Sequence, residues 1–182
     1  MVHQIHSDTV VSTKTHKFHL ETGENYKIKG DETLLQQAIR ALIENATKYS
    51  EPHTNIYIKS FIKDGFGRIS IRDEGVGISD EDAKRIFDRF YRVDLSRTKA
   101  TGGTGLGLAI VKRIVEIHNG RIEIDSKMNK GTEISIVLPI GDTATTVSEE
   151  TAKNVKKSKL EKKAVFSFLK KESENKKNRK EV

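Results

Sequence analysis

The 182-residue sequence contains no cysteine, which excludes a disulfide framework and any thiolate metal site and fits a reducing compartment. No apolar run approaches the roughly 20 residues of a membrane-spanning helix. The first residues lack the hydrophobic segment of a signal peptide. Internal repeats are absent as well, which sets aside solenoids and propellers. As given, the chain reads as soluble: one domain with an appendage. With 32% charged and 35% hydrophobic residues it suits a globular protein of modest core. The net charge of +7 is unevenly placed, because residues 142–182 carry 12 basic and 7 acidic side chains. The body before them is nearly balanced, so the high pI says little about what the folded part binds.

Residues 1–30 suggest weak strands. Phe18 and Leu20 alternate with His19, and Tyr26 and Ile28 with Lys27, around a turn at Thr22-Gly23-Glu24-Asn25. Asp31 is a natural N-cap for a helix in which Leu34, Leu35, Ala38, Ile39, Leu42, Ile43 and Ala46 repeat at helical spacing. Asn45 falls at the edge of that stripe with Lys48 one turn on, while Glu44 is turned about 100° away. Asn45 alone also fits a packing hydrogen-bonder. Pro52 ends the helix. Strands are expected over 55–62 and up to Asp73, joined by Lys63-Asp64-Gly65. Ser79-Asp80-Glu81-Asp82 is a capping box for a short helix with Ala83, Ile86, Phe87 and Phe90 on one face. Tyr91 to Thr101 is basic and without periodicity, which predicts a mobile loop. A helix follows from Leu106 to His118, stopped by Asn119-Gly120, and strands over 121–126 and 132–139 close the body. This order predicts an α+β sandwich, a mixed, mostly antiparallel sheet with three helices on one face. The boundaries are 1–141 for the domain and 142–182 for a Lys-rich, partly disordered tail.

Two stretches carry chemistry. In Ile69-Ser70-Ile71-Arg72-Asp73-Glu74-Gly75-Val76-Gly77-Ile78, period-two geometry puts Asp73 on the side of the two strand isoleucines. An inward carboxylate is costly unless a partner meets it. Gly75 and Gly77 then bare the backbone where a ligand could approach. A buried acceptor beside bare backbone can hold the amino edge of a purine; a satisfied Asp opening a glycine turn fits the same residues. Thr132 shares parity with Ile134, Ile136 and Leu138, so its hydroxyl also faces inward. The second stretch, Gly102-Gly103-Thr104-Gly105-Leu106-Gly107-Leu108, runs straight into a helix, where backbone amides and the helix dipole favour an anion. A dinucleotide fingerprint needs a strand before its glycines, and a P-loop needs Lys-Ser/Thr after them; neither is present. What remains is phosphate binding at a loop-to-helix junction behind a lid.

Four segments in order then match a family: Glu44-Asn45-Ala46-Thr47-Lys48-Tyr49-Ser50, Asp73-Glu74-Gly75-Val76-Gly77-Ile78, Phe87-Asp88-Arg89-Phe90-Tyr91-Arg92 and Gly103-Thr104-Gly105-Leu106-Gly107-Leu108. They resemble the N, G1, F and G2 boxes of the ATP-binding catalytic domain of bacterial sensor histidine kinases, over roughly residues 10–140. The resemblance implies the Bergerat fold with a flexible ATP lid, and ATP with Mg²⁺ as cofactors. It implies that Asn45 coordinates Mg²⁺ and Lys48 contacts phosphate, that Tyr49 lines the site, and that Asp73 accepts from the adenine amino group with Thr132 nearby through water. Gly75, Gly77 and Ile78 would shape the adenine pocket. Phe87 and Phe90 would anchor the lid hinge, and Arg92, Arg97 and Lys99 would supply lid cations. Gly103, Thr104, Gly105, Leu106, Gly107 and Leu108 would form the phosphate junction, with Asn45, Lys48 and Gly105 counted as catalytic.

Two absences stand against the family pattern. The N box usually opens with an Asn four residues before Asn45; here that position is Ala41, which can neither position phosphate nor activate water. No histidine among His3, His6, His16, His19, His53 and His118 has the surroundings of a phosphoacceptor, and His118 at a helix C-terminus is explained by the dipole. The expected function is therefore γ-phosphate transfer to a histidine on a separate dimerisation domain, and thence to a response regulator, in the cytoplasmic part of a membrane-bound parent kinase. The alternatives are an ATPase switch of the gyrase and chaperone type and a non-catalytic nucleotide-binding interaction module. No nucleic acid partner is expected. The tail can lie on an anionic membrane through Leu160, Ala164, Val165, Phe168 and Leu169, but a solvated tail is the favoured reading.

Overall fold

A computed structural model describes residues 1–93 and 104–141. In chain order the elements are helix α1 (Val2–Ser12), strand β1 (Lys17–Thr22), helix α2 (Glu32–Tyr49), strands β2 (Asn55–Lys63) and β3 (Phe66–Asp73), the single-turn helix α3 (Asp80–Ala83), helix α4 (Gly107–Ile117), and strands β4 (Arg121–Lys127) and β5 (Gly131–Pro139). The strands form one sheet in the order β1-β2-β3-β5-β4. Only β1 and β2 run parallel; the other three pairings are antiparallel.

The long helix α2 starts where the Asp31 carboxylate accepts the Leu34 N–H (3.1 Å), satisfying one of the orphan donors of the first turn. Leu35, Ala38, Ile39, Leu42, Ile43 and Ala46 are its buried face, as the 3.6-residue spacing requires. It ends at Ser50, whose hydroxyl donates to the Ala46 carbonyl (2.7 Å), before Glu51 is pushed out of the helical region by Pro52. Against this face lies the inner side of the sheet: Ile56 and Ile58 from β2, Ile69 and Ile71 from β3, Ile134, Ile136 and Leu138 from β5. Val111, Ile114 and Val115 of α4 complete the core. Each such side chain contributes about 1.5–3 kcal/mol by leaving water. The β2–β3 hairpin turns on Asp64 (φ 55°) and Gly65 (φ 77°), the paired left-handed residues that match strand twist.

The N-terminal expectation requires correction. Residues 2–12 form a helix, and β1 does not pair with Tyr26–Ile28 in a hairpin but with β2, the chain crossing over through α2. Parallel neighbours need such a crossover, and α2 supplies it. Tyr26 instead turns inward, its hydroxyl donating to the Arg68 carbonyl (3.0 Å) and paired with Ser60 Oγ (2.9 Å). Ile28 keeps only an isolated bridge to Ile140. Helix α1 has little amphipathic pattern, with only Ile5 and Thr9 buried, one turn apart, and is tied to α2 by an Asp8–Arg40 ion pair (2.6 Å). The helix expected to run to Phe90 stops at Ala83 and continues as turns. The three long helices on the sheet are thus α1, α2 and α4. The tail, residues 142–182, lies outside the described residues. Among those described, no helix is long and apolar enough to cross a membrane.

His118 at the end of α4 has specific partners beyond the helix dipole. It is buried, its Nδ1 bonded to the Ile114 carbonyl (2.7 Å) and its Nε2 accepting the Asp31 N–H (2.9 Å). A backbone donor at Nε2 leaves Nδ1 as the ring nitrogen that donates to the Ile114 carbonyl. The ring joins the end of α4 to the start of α2, and Gly30 leaves it room: an added Cβ there would sit 2.3 Å from His118 Cδ2.

Candidate nucleotide site

At one end of the inner sheet face the apolar pattern gives way to polar side chains in neighbouring strands. Arg72 faces Glu133 and Ser126 faces Thr132 across the ladder, so Asp73, Thr132 and Ser126 form a row over β3, β5 and β4. Asp73 and Thr132 are both 6% exposed, as strand parity predicts. Asp73 Oδ1 accepts two backbone N–H groups, from Gly75 (2.8 Å) and Thr132 (3.3 Å). Its Oδ2 accepts none from the described residues. Burial raises the Asp73 pKa; the Gly75 and Thr132 amides and the Arg72 charge oppose that rise without cancelling it.

The loop after Asp73 is wedged between α2 and the β4–β5 turn. Val76 donates to the Tyr49 carbonyl (3.3 Å), and Asn129 donates to the Val76 carbonyl (2.7 Å). Glycine is a steric requirement at both expected positions. A Cβ on Gly75 would lie 2.2 Å from the Tyr49 carbonyl oxygen, and Gly77, at φ 70°, faces the Lys127 carbonyl at 2.1 Å from its own would-be Cβ. Ile78 is half-buried, its N–H donated to Ser126 Oγ (2.8 Å).

The last turns of α2 border this loop. Asn45 is half-buried and its carboxamide pairs with none of the described residues; Glu44 is exposed, turned away as the helical spacing predicts. Lys48 Nζ sits 5.4 Å over the ring of Tyr49, itself 41% exposed. Burial lowers the Lys48 pKa and the nearby Arg92 charge lowers it further. Lys48 and Arg92 thus lie near enough for their charges to interact. Ala41, one turn before Asn45, packs partly buried against the core and offers no polar atom.

The segment after α3 is held by its own side chains. Tyr91 donates to Asp82 (2.6 Å), and Arg85 stacks on the Tyr91 ring at 4.3 Å. Ile86 and Phe87 pack inward, but Phe90 does not: its side chain is 71% exposed, with φ at 65°. What anchors there is its backbone, the Phe90 N–H donating to the Gly105 carbonyl (3.0 Å). Gly105 is at φ 70°, and a Cβ on it would press on the Phe90 backbone at 2.9 Å. Thr104 is exposed, Leu106 precedes α4 without a side-chain cap, and Gly107 opens the helix with nothing within 4 Å of a would-be Cβ; Leu108 packs on the core. Uncapped amides at this helix start remain available to an anion. Gly103, Arg97 and Lys99 lie outside the described residues.

Ser126 escaped the sequence reading. Its signal was available, since Ile122, Ile124 and Ser126 share parity on β4, but a serine at a strand end resembles any solvated terminus.

The family described as histidine kinase-, DNA gyrase B-, and HSP90-like ATPase matches residues 30–142. The chain is 44% identical over 114 residues to the sensor-like histidine kinase SenX3 of Mycolicibacterium smegmatis, covering 63% of this chain and 30% of that protein. It is 42% identical over 117 residues to the signal transduction histidine-protein kinase ArlS of Staphylococcus aureus, covering 64% of this chain and 26% of ArlS. The chain therefore spans about a third or less of these curated relatives. Among solved structures, the mycobacterial sensor histidine kinase MprB superposes with TM-score 0.65 at 28% identity, over 76% of this chain and 94% of that one. The full-length ShkA complex with AMPPNP superposes at 0.66 with 25% identity, over 81% of this chain and 30% of that one.

Proposed function

Because this chain belongs to the histidine kinase-, DNA gyrase B- and HSP90-like ATPase family and so carries an ATP-binding domain, we propose that it binds ATP–Mg²⁺ and presents the γ-phosphate to a histidine on a separate dimerisation domain. The observation that carries this reading is Asp73: a buried carboxylate with one oxygen occupied by backbone donors and the other unpaired among the described residues. That second oxygen is an acceptor for the adenine amino group. The Gly75–Ile78 loop lies beside it as one wall of the base pocket, with Tyr49 at its rim.

Phosphates then belong at the α2 end, where Lys48 carries its charge, and at the α4 start, whose amides have no side-chain cap. No group of three His, Cys, Asp or Glu among the described residues could hold a metal unaided. Mg²⁺ suits such a place, because it takes few protein ligands and keeps phosphates and waters. The free Asn45 carboxamide would be its protein ligand, and the ion when bound would neutralise charge on the triphosphate. Lys48 orients the phosphates, and the Gly105–Gly107 backbone approaches them closely. Phosphoryl transfer asks for this positioning rather than for covalent chemistry by the protein.

Transfer rather than hydrolysis follows from Ala41: where a water-activating carboxylate would stand one turn before Asn45, there is only a methyl group. The acceptor histidine, the downstream response regulator and a membrane-bound parent kinase complete the reading by analogy with sensor kinases. The test is calorimetric binding of an ATP analogue with and without Mg²⁺, then transfer from ATP to an added histidine-bearing dimerisation domain. Asn45→Asp and Gly105→Ala should each abolish transfer with circular dichroism unchanged. Transfer surviving in both would refute the assignment.

A further inference from the structure

The chain leaves the sheet at Glu74, and its exit is held from the outer face, away from the pocket. Lys63 and Phe66 flank the two-residue β2–β3 turn as a hydrogen-bonded pair, and such pairs alternate with non-bonded ones along an antiparallel ladder. Asn55 and Glu74 would therefore be the next bonded pair after Tyr57 and Arg72, yet the ladder ends one step short, at Ile56 opposite Asp73. The Asn55 N–H is donated to the side chain of Glu74 in place of its main chain, 3.1 Å from Oε2. The same oxygen accepts the Asn55 carboxamide (3.0 Å), and Oε1 accepts the Tyr57 hydroxyl (3.3 Å). The two Asn55 donors lead in holding the exposed Glu74 carboxyl below its ordinary pKa. The main chain is thereby released to turn across the end of the sheet. The Asp73 carbonyl oxygen lies against Gly131, 2.0 Å from a would-be Cβ there, and the following amides are donated inward, Gly75 to Asp73 Oδ1 and Val76 to the Tyr49 carbonyl.

We propose that Glu74 is a positioning residue for the base pocket: its side chain replaces the main-chain partner of Asn55, fixes where the backbone leaves β3, and so lays Gly75–Ile78 beside Asp73. The inference rests on the nucleotide reading above and deepens it. Strand alternation sets Glu74 on the face opposite Asp73, so it acts only through the loop. That loop has no slack to absorb a shifted exit, because a Cβ on Gly75 would already lie 2.2 Å from the Tyr49 carbonyl oxygen and one on Gly77 2.1 Å from that of Lys127. With a short side chain at position 74, the Asn55 N–H is left to water or to the main chain of residue 74. The second choice adds one pair to the ladder and draws Gly75 away from Tyr49.

The test compares Glu74→Ala with Glu74→Gln in the whole chain. Both Asn55 donors reach one oxygen, Oε2, so a Gln carbonyl can take that place and keep both bonds, while its NH₂ group donates to the Tyr57 hydroxyl. ADP affinity is read by displacement of a fluorescent adenine nucleotide, and amide hydrogen exchange of Gly75, Val76 and Ile78 by NMR. Glu74→Ala should weaken ADP about three- to tenfold and speed those three amides by a similar factor, the worth of one or two solvent-accessible hydrogen bonds. The Ile69 and Ile71 amides within β3 should stay as protected as in wild type. Glu74→Gln should match wild type within about twofold in both readings. ADP binding in Glu74→Ala equal to wild type overturns the proposal. So does a Glu74→Gln that loses as much as Glu74→Ala, which would assign the effect to charge alone, and so does faster exchange at Ile69 and Ile71, which would mark a general loss of stability. Failure of wild type to bind ADP would instead overturn the nucleotide reading, and exchange of the three loop amides would still decide whether Glu74 holds the loop.

Discussion

Replacing Asp73 by Asn separates binding from folding. The substitution is isosteric, and both backbone donors, Gly75 and Thr132, reach the same oxygen, Oδ1. The Asn carboxamide oxygen takes that place and keeps both bonds. Its NH₂ group must then occupy the position of Oδ2, turning an acceptor into a donor where the purine amino group is expected. Losing one hydrogen bond to a charged acceptor costs about 1.5–3 kcal/mol, or roughly 10- to 150-fold in affinity. Stability moves differently. Burial raises the Asp73 pKa above its ordinary value in spite of those amides. The native state therefore holds this proton more tightly than the unfolded chain. The group's stabilising contribution is complete below the unfolded-state value and is lost as pH rises through the raised native one. At pH 7 the carboxylate is in its less favourable state, which Asn removes. Asp73→Asn should thus melt at or above wild type at pH 7, with the difference shrinking on acidification below about pH 4. Calorimetric titration with ADP and melting at both pH values read the two effects. Undiminished ADP affinity, or a melting temperature well below wild type at pH 7, would refute the reasoning.

Asn45→Ala should leave stability within about 0.5 kcal/mol, since the carboxamide pairs with none of the described residues, while removing the Mg²⁺-dependent increment in ATP-analogue affinity; paired titrations with Mg²⁺ and with EDTA decide it. Gly105→Ala forces a side chain onto φ 70° against the Phe90 backbone and should cost about 1–2 kcal/mol of stability, with loss of phosphotransfer measured by radiolabel incorporation. Gly30→Ala drives a methyl into the His118 ring at 2.3 Å and should lower the melting temperature by roughly 3–10 °C without changing the Mg²⁺ dependence of binding. An unchanged melting temperature would mean that the His118 link between α4 and α2 is dispensable.

The middle of the chain was legible because its signals agree at every level. Asp31, the isoleucine and leucine stripe and Pro52 all specify α2, and the parity of Asp73 and Thr132 with their strand isoleucines places both side chains inward. The N-terminal residues were not legible. Helix α1 buries only Ile5 and Thr9, too few to print a 3.6-residue period, and its hold on α2 through Asp8 and Arg40 is a long-range contact. Tyr26 and Ile28 alternate as a strand would, yet the inward hydrogen bonds of Tyr26 take them from the ladder. The same limit explains Ser126 and Phe90. The bonds of Ser126 come from residues distant in sequence, and Phe90 carries its role on its amide, which no side-chain pattern records.

The bond from Phe90 N–H to the Gly105 carbonyl has a consequence for how this family member can diverge. It ties position 90 to position 105, so the chain path between them begins and ends at one backbone hydrogen bond. Closing a longer loop adds little cost, about 0.6 kcal/mol for each doubling of length. Insertions and deletions between the two tied positions should therefore cost little stability. A guest peptide grafted between them should leave the sheet folded, which a melting curve would read.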